Sequence, residues 1–225
     1  MVNKSALGIF FRIPIYGKVK KRLAAEIGEE AALNAYKSML NVTIDNVSRL
    51  QDTDIFGFYE GEILFLNHPL PSDNPPIPPL EKGGEGGFDK GGNFELLKKL
   101  PLITQKGKNL GGRMFNAMKC LFEKGYERVL LIGIDSPDLP LSFIVDAFKK
   151  LEYYELVIGP SEDGGYYLIG LTKPIKNLFT NIHWGSSNVL NETISRAEYS
   201  RISYFLLPRW YDIDNLNNLL RWKRK

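Results

Sequence analysis

The most constraining stretch of this sequence is RVLLIGI at 128–134, followed at once by DSPDLP at 135–140. After Arg128 every position of the run is aliphatic or glycine. A strand built from it has no side suited to water, so it reads as buried. Other apolar runs read as strands at 6–13 (ALGIFFRI), 54–59, 62–66, 155–160, 165–171 and 202–207. Helical patterns occupy roughly 22–50, 110–124, 141–151 and 186–199, and a short helix follows the last strand. Strands alternating with helices predict an α/β fold with a mainly parallel, helix-flanked sheet. The close pair at 155–171 predicts one antiparallel excursion.

A chain of 225 residues can build one large α/β domain, and no shift in composition marks a boundary, so 1–225 is expected to be a single domain. Residues 71–94 stand apart. They hold 5 prolines and 6 glycines, and EKGG at 81–84 returns as DKGG at 89–92. Such a segment buries too little apolar surface to offset its ordering entropy, and it is expected to be a disordered insertion in a surface loop.

Net charge narrows the partners. An excess of only +3 argues against a nucleic-acid binder, which needs a dense basic face. No apolar run approaches the ~18 residues of a membrane span, and the N-terminal run is broken by Arg12 and Pro14 as no secretory signal is. The single cysteine, Cys120, allows no internal disulfide. A cytoplasmic location is expected.

Three motifs have chemical promise. GKVKKRL at 17–23 opens a helix with Lys18, Lys20, Lys21 and Arg22. Cations are misplaced at the positive end of a helix dipole, and a bound phosphate would remove the conflict; otherwise the stretch is a solvated basic turn. Gly17 would form the turn. In the second motif Asp135 follows the apolar strand directly, at the edge where open α/β sheets bind ligands. Its carboxylate suits Mg2+ or Mn2+ bridging to phosphates. Asp138, between Pro137 and Pro140, reads equally as a turn organiser. The third motif, SEDGGYYLIGL at 161–171, carries a hairpin signal at Asp163-Gly164. Gly164 and Gly165 would also let a ligand approach the backbone, and Asp163 could face it.

Smaller candidates lie around these. QKGKNLGGRM at 105–114 offers Gln105, Gly111 and Arg113 for base or phosphate contacts. Trp184 is a stacking ring or a core residue. Asp212 and Asp214, in YDID, either complete a metal site with Asp135 or sit in a solvated loop. The two histidines, His68 and His183, fit neither a zinc site nor a hydrolase triad.

Taken together, the motifs resemble a bacterial family of GT-A-like transferases. Its members are described as glycosyltransferases, some tied to radical-SAM gene neighbourhoods and arsenosugar synthesis. The family's opening F-x-K-x-P-x-x-G-x-x-K-T-R-L is met by Phe10, Arg12, Pro14, Gly17, Lys20, Lys21, Arg22 and Leu23. D-S-P-D-L-P matches 135–140, G-P-x-E-D-G-G-Y-Y-L-I-G-L matches 159–171, and Q-x-x-x-D-L-G-x-R-M matches from Gln105. Arg12, Lys21 and Asn109 depart from the pattern, as do Asn217 and Asn218, where the family tends to be acidic. The resemblance implies a Rossmann-like GT-A fold and a Mg2+- or Mn2+-assisted nucleotide site. More distantly the chain is similar to phospholactate guanylyltransferases and molybdenum-cofactor nucleotidyltransferases.

The leading expectation is glycosyl transfer from a nucleotide-sugar to a small-molecule acceptor. Asp135 would hold the metal with Asp214 and Asp212. Gly17, Lys20, Arg22, Gln105, Gly111, Arg113, Gly164 and Gly165 would contact the nucleotide, Asp163 would act on the acceptor hydroxyl, and Trp184 would stack. The alternatives are nucleotidyl transfer from a nucleoside triphosphate to a small phosphorylated acceptor, and nucleotide binding without catalysis.

Overall fold

The computed structural model describes residues 4–61, 97 and 100–224. The expected strand at 62–66 and the insertion at 71–94 lie outside the described residues. In chain order the elements are β1 (Ser5–Arg12), α1 (Lys21–Ile27), α2 (Glu29–Val47), β2 (Thr53–Glu60), β3 (Leu102–Thr104), α3 (Leu110–Glu123), β4 (Arg128–Ile132), α4 (Leu141–Lys150), β5 (Leu156–Pro160), β6 (Tyr166–Leu171), a 3-10 turn (Lys176–Phe179), α5 (Val189–Tyr199), β7 (Tyr204–Leu206) and α6 (Leu216–Lys223).

The strands form one seven-stranded sheet in the order β3-β2-β1-β4-β6-β5-β7. Only β6 runs against its neighbours, as the antiparallel excursion predicted. β1 pairs in parallel with β2 on one side and with β4 on the other. The chain moves outward from β1 through β2 and β3, then returns to place β4 on β1's other side. This reversal opens a crevice at the carboxyl ends of β1 and β4, where ligands collect in open α/β sheets.

β4 shows why both faces need cover. Successive side chains of a strand point to opposite faces. Leu130 and Ile132 pack with Ile44 of α2 and with Ile144 and Phe148 of α4. Val129 and Leu131 pack on the other face with Met118 and Leu121 of α3 and with Ile169. The expected single helix over 22–50 is two helices. Gly28, at φ 86°, ends α1 and starts α2.

A third apolar cluster sits beyond the sheet edge. Leu23 of α1, Met39 of α2 and Leu219 of α6 enclose Tyr211 and Ile213. Both enclosed side chains are fully buried. Burying each contributes about 1.5–3 kcal/mol, so the 211–214 segment is fixed firmly.

Candidate active site

That segment alternates. With Tyr211 and Ile213 turned into the third cluster, Asp212 and Asp214 face the other way, toward the carboxyl end of β4. Hydrogen bonds lace the segment to the DSPDLP turn. The Ile213 N–H donates to the Asp135 carbonyl at 2.8 Å, and the Tyr211 hydroxyl donates to Asp138 Oδ2 at 2.6 Å. Trp210 Nε1 also donates to Asp138, at 3.3 Å. Asp138 is thus a structural anchor. Ser136 Oγ lies 2.9 Å from the Tyr211 carbonyl and 2.8 Å from Asp212 Oδ1.

The result is a cavity of about 910 Å³ over the crevice. Lys18, Lys20, Lys21 and Arg22 line it, as do Asp135, Asp212 and Asp214. Asp163, Gly165 and Trp184 supply a further wall, with Gln105 and Arg113 beyond β1. Most of the residues singled out in the sequence therefore meet in one place, although they are far apart in the chain.

Their bonding corrects several expectations. Lys20 is not free to await a phosphate. Its Nζ lies 2.9 Å from Asp135 Oδ1 and 2.8 Å from Asp214 Oδ1, and it donates to the Ile213 carbonyl at 2.6 Å. Burial disfavours the charged form of this lysine, but the two carboxylates outweigh it and the pKa rises on balance. Arg22 is mostly exposed, 3.8 Å from Asp214. Among the described residues, no group of three or more His, Cys, Asp or Glu is arranged to hold a metal. The expected trio of Asp135, Asp212 and Asp214 is instead divided between Lys20 and Ser136.

Three glycines also differ from expectation. Gly17 makes its turn at φ 67° but does not line the cavity. Gly111 and Gly164 do not line it either. A side chain at Gly111 would come within 2.5 Å of the Trp184 ring and of the Phe179 carbonyl oxygen, so Gly111 is there for packing. Trp184 in turn sits edge-on to Tyr166, with ring centroids 6.5 Å apart. Gly165 faces the cavity and donates its N–H to Asp163 Oδ1 at 2.9 Å, while the Ser161 hydroxyl bonds the same oxygen. Asp163 thus organises the β5–β6 turn through one oxygen.

At the far end, the Gln105 amide donates to the carbonyls of Phe58 at 3.0 Å and Phe11 at 3.2 Å, tying β1 to β2. Sequence reasoning missed Glu60, the last residue of β2. It accepts from Arg12 and from Arg113, both at 2.8 Å. Its signal was available: a parallel partner of β1 must end at the same sheet edge.

The Asp212 carboxyl is pushed up to about 7 from the ordinary 3.8. Burial is the main cause, reinforced by the charges of Asp135 and Asp163 and opposed by hydrogen bonds from Ser136 and Ser161. Between these two values the folded chain keeps a proton that the unfolded chain has released. This group's contribution to stability therefore falls as pH rises from about 4 to about 7, then levels off. Asp212→Asn is expected to gain stability relative to the parent between pH 5 and pH 8, read as urea midpoints. An identical difference at both pH values would sink this assignment.

A Rossmann-like sheet with a cavity lined by lysine, arginine and aspartate side chains at its switch point defines the nucleotidyltransferase and GT-A type of fold, as the sequence resemblance implied. Residues 82–186 match the profile of a family described as "Uncharacterized protein conserved in bacteria (DUF2064)". A search of curated proteins finds no match. A Desulfovibrio desulfuricans G20 protein, called a "putative nucleotide-diphospho-sugar transferase", superposes with a TM-score of 0.81 at 29% identity, over 99% of this chain and 89% of that one. The 4-diphosphocytidyl-2C-methyl-D-erythritol synthase of Anaerococcus prevotii shares the fold at TM-score 0.58 and 12% identity, over 100% and 98% of the two chains. The Mycobacterium tuberculosis protein Rv0371c does so at 0.55 and 10%, over 99% of each. Among the described residues, no helix is long and apolar enough to cross a membrane.

Proposed function

We propose that this chain is a cytoplasmic transferase that moves a glycosyl group from a nucleotide-diphospho-sugar to a small-molecule acceptor, with Mg2+ or Mn2+ as cofactor. The observation that carries the reading is the charge content of the cavity: the cations Lys18, Lys21 and Arg22 line it together with the carboxylates of Asp135 and Asp214, and Arg22 lies 3.8 Å from Asp214. A diphosphate needs the first set, and a divalent cation bridging to it needs the second. The aspartates fit such a cation as a partial site. Mg2+ usually takes one or two protein carboxylates and fills its remaining positions with water and substrate phosphates. Asp135 and Asp214 have side chains 49% and 40% exposed, which leaves them open to the cavity. Likeness to the Desulfovibrio protein supports the choice of donor.

Asp135, with Asp214, would hold the cation, which when bound would supply charge stabilisation for the departing diphosphate. Arg22 and Lys21 would meet the phosphate oxygens, and Gln105 and Arg113 the nucleoside. Asp163 would orient or deprotonate the acceptor hydroxyl through the oxygen not committed to its turn. Trp184 would form the acceptor wall. Arg22→Ala is expected to weaken nucleotide-diphosphate binding by about 1.5–3 kcal/mol, with the melting temperature unchanged because the side chain is exposed. Calorimetric titration showing parental affinity at both low and physiological salt would remove Arg22 from the site.

A second reading, nucleotidyl transfer from a nucleoside triphosphate to a small phosphorylated acceptor, is favoured by the fold shared with the Anaerococcus synthase. One assay separates the two. The protein is incubated with panels of nucleotide-sugars and nucleoside triphosphates, each with acceptor mixtures and Mg2+ or Mn2+. Release of nucleoside diphosphate supports glycosyl transfer, and release of pyrophosphate supports the second reading. No turnover with either panel would defeat both and leave a nucleotide-binding protein.

A further inference from the structure

Lys20 is held in a way that a waiting phosphate ligand would not be. An ammonium has three N–H donors, and here three acceptors surround it: Asp135 Oδ1, Asp214 Oδ1 and the Ile213 carbonyl. Its side chain is only 6% exposed, whereas the two carboxylates it joins are roughly half exposed. The ammonium is thus tucked behind carboxylates that face the cavity. The backbone adds a second observation. Lys20 adopts the left-handed conformation, φ 46° and ψ 48°, at the start of α1. That costs a non-glycine residue free energy, so the surroundings must hold it there.

Two carboxylates around one buried ammonium leave a net negative charge at that point, with, among the described residues, only the solvent-exposed Arg22 guanidinium, 3.8 Å from Asp214, beside it. A divalent cation would be drawn to it but would be repelled by the ammonium between the carboxylates. We propose that Lys20 is an internal counter-ion that a divalent cation displaces: it holds Asp135 and Asp214 together before ligand arrives and leaves them for the donor's diphosphate when the cation binds. This rests on the reading of Asp135 as a metal-holding carboxylate. The consequence is coupling. The cation alone must displace an ammonium that has nowhere equally good to go. With a diphosphate present, the displaced ammonium gains phosphate oxygens as acceptors. Cation and diphosphate then raise each other's affinity by the same factor, as linkage requires.

The test is Mn2+ binding without nucleotide, followed by the electron paramagnetic resonance signal of free Mn2+. The full chain is compared with Lys20→Met and Asp135→Asn. Methionine keeps the length and removes the charge. Lys20→Met is expected to bind Mn2+ about tenfold tighter than the parent, or ~1.4 kcal/mol. Asp135→Asn is expected to bind it more weakly. If Asp135→Asn is weakened but Lys20→Met binds no tighter than the parent, displacement is wrong and the metal reading stands. If Asp135→Asn binds Mn2+ like the parent, the metal reading itself fails. A second measurement needs no variant and decides the matter if Lys20→Met does not fold. Acetylation of Lys20 in the parent, followed by mass spectrometry, is expected to speed up several-fold at saturating Mn2+. A rate unchanged by Mn2+ overturns the proposal.

Discussion

Asp135→Asn is expected to lose metal-dependent nucleotide-diphosphate binding and to lower turnover by about a thousandfold, close to 4 kcal/mol in activation free energy. The substitution keeps the side chain's size and removes its charge. Its effect on the unliganded fold is expected to be small. Asp135 is about half exposed, and Lys20 keeps Asp214 and the Ile213 carbonyl as partners. The Lys20 ammonium is buried, so leaving it without a carboxylate would cost more than the about 0–1 kcal/mol of a surface pair, but Asp214 remains to compensate it. The pairing of results is the informative part. A residue that only organised the turn after β4 would show the reverse: a lower melting temperature with metal dependence intact. Melting curves with and without Mn2+ and nucleoside diphosphate read both quantities. Unchanged metal dependence in Asp135→Asn would move the search to Asp214 and Asp212.

The second large effect is on stability. Gly164→Ala is expected to cost about 3 kcal/mol, combining overpacking with a left-handed backbone. For a chain of this size that lowers the melting temperature by roughly 6–12 °C. Gly164 has φ 91°, and an added Cβ would lie 2.0 Å from the Ser187 carbonyl oxygen. Backbone oxygen cannot rotate away as a side chain can, and Leu190 donates its N–H to the Gly164 carbonyl at 2.9 Å, fixing the approach from the other partner. The neighbouring glycine is the control. At Gly165 a Cβ would meet only side-chain oxygens, the nearest at 3.3 Å, and Gly165→Ala is expected to melt within a few degrees of the parent. Equal melting temperatures for the two variants would show that the 187 segment yields.

The contrast between these two glycines shows where the sequence is legible. Asp163-Gly164 announces a turn, and a turn is there. What Gly164 accommodates is the backbone of Ser187, and no local pattern reports a partner across the fold. Gly111 repeats the point with Trp184. The strands were readable because hydrophobic runs declare burial residue by residue, and β4, β5 and β6 fall within a residue or two of expectation. Leu102–Thr104 was not readable, since three residues carry no period. The break at Gly28 was hidden inside a continuous helical pattern. At the site, YDID carried a usable signal: two large apolar residues alternating with two acids place the acids together on one face. The grip of Lys20 on Asp214 carried none, because it joins positions 194 residues apart.

That separation bears on how the chain is made. A ribosome delivers Lys20 early and Asp135 after more than half of the sequence, while the partner that completes the charge balance emerges after β7. Until Tyr211 and Ile213 settle between α1, α2 and α6, Asp212 and Asp214 have no fixed address. A growing chain can therefore assemble most of its sheet before the carboxylates that line the cavity are complete. On the proposed reading, metal-dependent ligand binding would report whether the far end of the molecule has closed, and an opening of α6 that leaves the sheet intact would weaken it before the protein unfolds.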